Sequence, residues 1–167
     1  PALKNLSPVG SCSRGEPKLL EFNGFKLGVA ICFEDTDSQL VRKFADMGAD
    51  ALVFITNDIW FSRSDETLQH TWQSLARAVE TGLPVIRVGN SGVTGVFYPD
   101  GRGSWLTGKD GELLIDELGC KVERVAIPPK ERREPTPYTR FGDIPLFVLF
   151  ILTALYGLAP VKFGRAE

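Results

Sequence analysis

Cys32 is the residue best placed for covalent chemistry. The run Gly28-Val29-Ala30-Ile31-Cys32-Phe33-Glu34-Asp35 carries one thiol to the end of an apolar stretch and then meets two acids. A thiolate can attack a carbonyl carbon and form a thioester, dividing one difficult acyl transfer into two easier steps. It needs a proton acceptor, because a free thiol is mostly protonated near neutrality. It also needs donors for the tetrahedral oxyanion, each worth roughly 3 kcal/mol, and the backbone N–H of Phe33 is a candidate. A small buried cysteine inside a strand is the plainer use of the same residues. Glu34 and Asp35 suit a base, a charge partner or a helix cap, and capping fits Asp35 or Asp37 better than Glu34.

Other side chains offer less. His70 is the one histidine, so a Cys–His pair has a single possible base and a histidine metal cluster is excluded. Four residues after Glu66 in a helical stretch, it reads as a solvated or helix-packing residue. Trp60 and Phe61, following Asn57-Asp58, either line a hydrophobic acyl site or pack. Cys12, Cys32 and Cys120 are odd in number and lack C-x-x-C spacing, which argues against a disulfide framework or structural zinc. No cofactor is expected.

The elements that position these residues follow from periodicity. Residues 1 to 17 are rich in Pro, Ser and Gly and read as a loop. Lys18 to Phe22, Asn23-Gly24 and Phe25 to Cys32 predict a β-hairpin, with Asn-Gly supplying the positive φ angles of a two-residue turn. Leu27 to Ile31 is continuously apolar, as in a strand covered on both faces. Leu40, Val41, Phe44 and Met47 recur at helical spacing, and Gly48 ends that helix. Ala51 to Ile55 predicts a strand ending in Thr56-Asn57-Asp58. Glu66 to Thr81 predicts a helix with Leu68, Trp72, Leu75, Ala76 and Val79 on one face. After Gly82, Pro84 to Val88 predicts a third strand, ending in Gly89-Asn90-Ser91-Gly92.

Alternation of strand and helix points to an α/β layered sheet. Ligands of such sheets bind at the carboxyl ends of the strands, so three tips should meet: Cys32-Phe33-Glu34, Asn57-Asp58 and Asn90-Ser91. Val93 to Tyr98, Pro99-Asp100-Gly101 and Glu112 to Ile127 read as further β-hairpin material. Pro128 to Pro137 reads as an exposed linker, and Tyr138 to Asp143 as the lead into an apolar segment.

Composition limits the partners. The 167 residues, 43% hydrophobic and 24% charged, suit one folded domain with a sizeable core. A net charge of -2 provides no basic field for nucleic acid. Ile144 to Val161 holds no charge over 18 residues. As a helix it would be about 27 Å long, close to a bilayer core, and Lys162 and Arg165 close it as anchors would. A Pro-Ala-Leu-Lys start, with no methionine and no signal-peptide pattern, reads as an excised piece.

Several segments also occur in a telling order: Gly28 to Glu34 (GVAICFE), Thr56 to Phe61 (TNDIWF), Gln69-His70, Ala76 to Gly82 (ARAVETG), Gly89 to Gly92 (GNSG) and Pro99-Asp100-Gly101. This set resembles the carbon-nitrogen hydrolase (nitrilase) superfamily, most closely its membrane branch of apolipoprotein N-acyltransferases, over about residues 15 to 160. The N-D-x-W-F element, the R-A-x-E helix and the trailing apolar helix separate that branch from soluble amidases.

The resemblance implies the C-terminal part of a nitrilase-like α-β-β-α sandwich followed by one transmembrane helix. The implied organisation is domain 1–137, linker 138–143, transmembrane helix 144–161 and tail 162–167. It implies a Glu-Lys-Cys catalytic set with Cys32 as nucleophile, joined at the site by Phe33 and Glu34. Asn57, Asp58, Trp60, Phe61, Asn90 and Ser91 are then the substrate-binding candidates. The implied reaction moves an acyl chain from a phospholipid, through a Cys32 thioester, to the N-terminal amine of a diacylglyceryl-cysteine lipoprotein. The implied setting is the bacterial inner membrane, with the catalytic domain on the periplasmic side, although a bare count of flanking Lys and Arg favours the cytoplasm.

Two departures stand out. The family's base glutamate and lysine lie upstream of the nucleophile, whereas Lys4, Glu16, Lys18, Glu21 and Lys26 sit too near it. The expectation is therefore a C-terminal part of a larger enzyme, unable to turn over alone. Phe33 also stands where this branch often has tyrosine. A nitrilase-type amidase acting on a small carbon-nitrogen substrate is the alternative, and a non-catalytic binding sandwich is a third.

Overall fold

The structure, a computed structural model, describes residues 15–61 and 64–158. Cys12, Lys4 and residues 159–167 of the expected span and tail lie outside that set.

Six strands form one mixed sheet in sequential order. β1 (Leu19–Phe22) and β2 (Phe25–Ile31) are the expected antiparallel hairpin. Its turn residues Asn23 and Gly24 both have positive φ, 48° and 81°, as a two-residue hairpin turn requires. β2, β3 (Ala51–Asn57) and β4 (Val85–Asn90) run parallel, with Ile31 opposite Ile55 and Asn57 opposite Asn90. α1 (Ser38–Asp46) and α2 (Asp65–Thr81) are the crossovers that parallel strands need. β5 (Gly95–Phe97) and β6 (Gly103–Trp105) complete the sheet antiparallel.

The core lies between the sheet and α1–α2, built from Ala30, Val41, Phe44, Leu52, Phe54, Ala78, Val85 and Phe97. Gly28 makes that packing possible, because a Cβ there would sit 2.7 Å from Phe44 and 2.9 Å from Leu52. Helices cover one face of β2. On the opposite face Ile31, Ile55 and Val88 are about half exposed or more, and among the described residues no layer covers them.

The face assigned to α2 is corrected. Leu68, Trp72 and Val79 are exposed, while Thr67, His70, Thr71, Ser74, Arg77, Ala78 and Thr81 are buried. This polar stripe is sequestered because the sheet offers it charged partners, described below, which periodicity of apolar residues does not register.

Beyond β6 the chain is irregular. Glu112 to Ile127 forms no strand, only the isolated bridge Thr107–Leu113. Residues 128–143 are not a free linker but a docked strap. Arg133 donates to Asp50 at 2.7 Å, and Thr136 bonds the Glu80 carbonyl. Thr136 also caps α3 (Pro137–Phe141), whose Pro stands in the first turn. Arg42 of α1 donates to the Thr139 and Arg140 carbonyls at 2.7 and 3.2 Å, and Gln39 donates to Asp143 at 2.8 Å. α4 (Ile144–Leu158) follows at once. Its 15 residues make about 22 Å of helix, and no helix among the described residues is long and apolar enough to cross a membrane.

Candidate functional site

Cys32 follows the last residue of β2 and opens a short 3-10 turn, Cys32–Thr36. Its φ is +54°, a left-handed conformation that non-glycine residues adopt at a cost of about 1–3 kcal/mol, held only where neighbours over-determine it. The neighbours are visible. The Glu34 carboxylate accepts from the Ile31 N–H at 2.8 Å, closing the turn back onto the strand that delivers the thiol. Thr36 Oγ1 donates to the Phe33 carbonyl at 2.7 Å. Asp37 takes over as cap of α1, accepting from the Gln39 and Leu40 N–H groups. The thiol of Cys32 is half-buried, and Cys120 is exposed.

Asp35 lies in the turn, as expected, but caps no helix, a role Asp37 takes. Asp35 is 0% exposed and points beneath the turn. One oxygen lies 2.9 Å from His70 Nε2. The other accepts from Ser74 Oγ at 2.9 Å and from Arg87 Nη1 at 2.8 Å. Asp58, also 0% exposed, answers from the end of β3. Its Oδ1 accepts from Thr56 at 2.6 Å and lies 2.9 Å from His70 Nδ1, while Oδ2 accepts from Arg87 Nη2 at 2.7 Å. Asp35, His70, Asp58 and Arg87 thus close a ring in which acid and base alternate. Asp58, one of the substrate-binding candidates, spends both oxygens inside it.

His70, 4% exposed, is neither solvated nor simply packed. The imidazolium donates to both carboxylates, whereas a neutral ring protonated on Nε2 would keep the Asp35 bond and turn the Nδ1 lone pair toward Asp58 and toward Arg87 Nη2, 3.1 Å away. Burial alone would lower its pKa. The hydrogen bonds to Asp35 and Asp58 and the charge of Asp35 outweigh that and the opposing Arg87, raising it to about 9. Burial of Asp58 likewise works against its charge, but bonds from His70, Thr56 and Arg87 leave its pKa below the ordinary value. With His70 charged, the ring holds two cations and two anions in the interior. Arg87 Nε is left without a hydrogen-bond partner among the described residues.

The other tips take these places. Asn57 and Asn90 are paired across β3 and β4, and Asn90 Nδ2 donates to Asn57 Oδ1 at 3.1 Å. The Asp58 N–H donates to the Asn90 carbonyl at 2.9 Å. Ser91 has φ +60° and leads to Gly92, where any Cβ would collide with the Asp58 carboxylate. Register sets Cys32 one residue beyond the Ile31–Ile55 pair and Asn57 two beyond it on the neighbouring strand. The three expected tips therefore share one sheet edge. Phe33 stacks on His70 with ring centroids 4.9 Å apart, and Phe61 meets both edge-on. Trp60 projects outward, 82% exposed, beside exposed Ile59.

Arg87 carried no weight in the sequence reading. An arginine within an otherwise apolar strand, Val85–Asn90, is costly unless paired, and that cost was the available signal. Among the described residues no cluster of His, Cys, Asp and Glu suits a metal ion.

Similarity to known proteins agrees with this geometry. The family model described as carbon-nitrogen hydrolase matches residues 4–128. An apolipoprotein N-acyltransferase of Photobacterium profundum is 34% identical over 95% of this chain, which covers 29% of that relative. Apolipoprotein N-acyltransferase 1 of Treponema denticola is 42% identical over 52% of this chain, covering 16% of its own length. The chain thus spans less than a third of these curated relatives. Among solved structures, the NitN amidase of Nesterenkonia sp. AN1 superposes with a TM-score of 0.51 at 22% identity, over 83% of this chain and 50% of that one. That likeness speaks for the fold.

Proposed function

The chain belongs to the carbon-nitrogen hydrolase family, and from that premise we propose that it is the nucleophile-bearing part of a lipoprotein N-acyltransferase. Cys32 attacks the ester carbonyl of a phospholipid acyl chain, the tetrahedral oxyanion collapses, and the lipid alcohol leaves with a proton. The amine of an N-terminal diacylglyceryl-cysteine then attacks the thioester, forming an amide and returning the thiol. The Phe33 N–H serves the oxyanion. Glu34 braces the turn through Ile31, and the general base and lysine of the family pattern are supplied from outside this stretch.

The observation that carries this reading is Cys32 itself, held at positive φ in a turn at the head of β2. Exposed Ile59 and Trp60 beside the Asn57–Asn90 pair favour an apolar acyl donor over a small amide. α4, apolar and exposed from Ile144 to Gly157, supports a membrane setting. In that setting the domain lies on the periplasmic side of a bacterial inner membrane.

The test is intact-protein mass spectrometry of the full-length enzyme incubated with phospholipid. A hydroxylamine-labile acyl adduct is expected on Cys32 and absent from Cys32→Ala, with transfer to a lipoprotein peptide following. An unchanged adduct in Cys32→Ala removes the nucleophile assignment. Hydrolysis of short amides with no acyl adduct from lipid would select the amidase reading.

A further inference from the structure

The Asp35–His70–Asp58–Arg87 ring touches no reacting atom, yet every member is attached to a tip of the candidate site. Asp35 belongs to the turn that begins at Cys32. Asp58 follows Asn57 directly, and its N–H is bound to the Asn90 carbonyl. Arg87 lies on β4, three residues before Asn90. His70 is supplied by α2, and its two nitrogens reach the first tip and the second at 2.9 Å each. It also carries the Phe33 ring, the side chain next to the thiol.

We propose that His70 is a positioning residue for Cys32: by bridging Asp35 and Asp58 and supporting Phe33, it sets where the thiol's turn stands relative to the β3 and β4 tips. Parallel strands alone do not do this. Their ladder ends at Ile31 and Ile55 on the β2–β3 side, and the turn beyond has left the sheet. Beyond that point the hydrogen bonds are local ones within the turn, the Arg77 bond to the Thr36 carbonyl, and the ring. Of these hydrogen bonds only the ring runs from the Cys32 turn to the neighbouring tips, and the Phe33–Phe61 edge contact joins the turn to the β3 tip by packing.

The bridge needs both ring N–H groups, so it is tied to the charge of the imidazole. The charged groups facing His70 are Asp35 from the turn, Asp58 from the end of β3 and Arg87 from β4. Its own helix adds the Ser74 hydroxyl through Asp35. Loss of the Nδ1 proton would exchange the bond to Asp58 for one accepted from Arg87 Nη2, 3.1 Å away, so the arm of the bridge to the β3 tip would be given up and the turn would move relative to the tips.

This inference rests on Cys32 being the nucleophile proposed above, but its test needs no lipid. In the full-length protein, the rate of Cys32 alkylation by iodoacetamide at about pH 7.5 should fall about tenfold or more in His70→Gln, because a displaced turn alters the thiol's access to reagent. A cooperative thermal melt verifies that this variant is folded. An alkylation rate within about twofold of wild type in that folded variant would overturn the proposal.

Should His70→Gln fail to fold, the wild-type protein decides. Alkylation per thiolate, followed to about pH 10 beside the imidazole NMR signal, should drop in step with the loss of the His70 proton. A rate that tracks cysteine ionisation alone through that range overturns the proposal. A protein that shows the alkylation effects but forms no acyl adduct from lipid would overturn the acyltransferase reading and leave the positioning role standing.

Discussion

The ring of Phe33 lies nearly parallel to the imidazole of His70, 16° between planes and 4.9 Å between centroids. The residue that follows the thiol therefore lays one ring face on the buried charges while staying 56% exposed. Such a contact is worth about 0.5–1.5 kcal/mol beyond the area it covers. Phe33→Leu should lower stability by about that amount and slow Cys32 alkylation severalfold. Phe33→Tyr, which keeps the ring, should match wild type in both. A Leu variant equal to wild type in alkylation would show that the stack does not position the thiol.

Arg87 closes the ring between Asp35 and Asp58 with two bonds of 2.8 and 2.7 Å. Arg87→Met removes the guanidinium and leaves two buried carboxylates short of partners. The expected cost is about 3–5 kcal/mol, read as the loss in unfolding free energy in urea. A loss below about 1 kcal/mol would mean that the two acids take up protons or water at little cost.

His70 gives the molecule an alkaline limit. Its folded pKa of about 9 exceeds the unfolded value of 6.5. The stability it contributes is fully present below about pH 6.5 and is lost as pH rises through about 9, on the order of 3 kcal/mol in total. Asp58, with its pKa lowered, contributes in the opposite direction. Its share is present above the ordinary carboxylate range and is lost as pH falls through the depressed value. Urea midpoints across pH should show the alkaline decline in wild type and lack it in His70→Gln.

At Gly92 there is no room for a side chain against the Asp58 carboxylate. Gly92→Ala should cost about 1–3 kcal/mol, as overpacking does. Because Asp58 is what it would displace, alkylation of Cys32 should slow as well. Normal alkylation at reduced stability would confine the effect to packing.

The strap makes a separate prediction. Arg42→Ala removes both bonds to the α3 carbonyls. Amide exchange across residues 137–142 should accelerate, while overall stability changes by no more than about 1 kcal/mol. Unchanged exchange there would assign the docking of α3 to Gln39 and Thr136.

Local signals were readable where partners are near in sequence. Asn23-Gly24 marked the hairpin, the Phe44 spacing marked α1, and Gly82, at φ +70°, marked the end of α2. The ordered segments around Cys32, Asn57 and Asn90 marked the sheet edge. Legibility failed where partners are distant. His70 lies 35 residues from Asp35 and 12 from Asp58, so nothing beside it in the chain signals a buried ion. The same cause hid the inward face of α2, whose polar stripe reads as a solvent face until Asp35 and Arg87 are placed against it. For α3 a local sign did exist, in Thr136-Pro137 as cap and first helical residue.

α1 begins at Ser38, just past the turn that holds the thiol; its Gln39 bonds Asp143, the residue before α4, and its Arg42 holds α3. The helix that follows the thiol's turn is therefore the one tied to the start of the apolar rod. If α4 is embedded as proposed above, these bonds hold the thiol at one height over the bilayer, and the acyl carbonyl must rise to it.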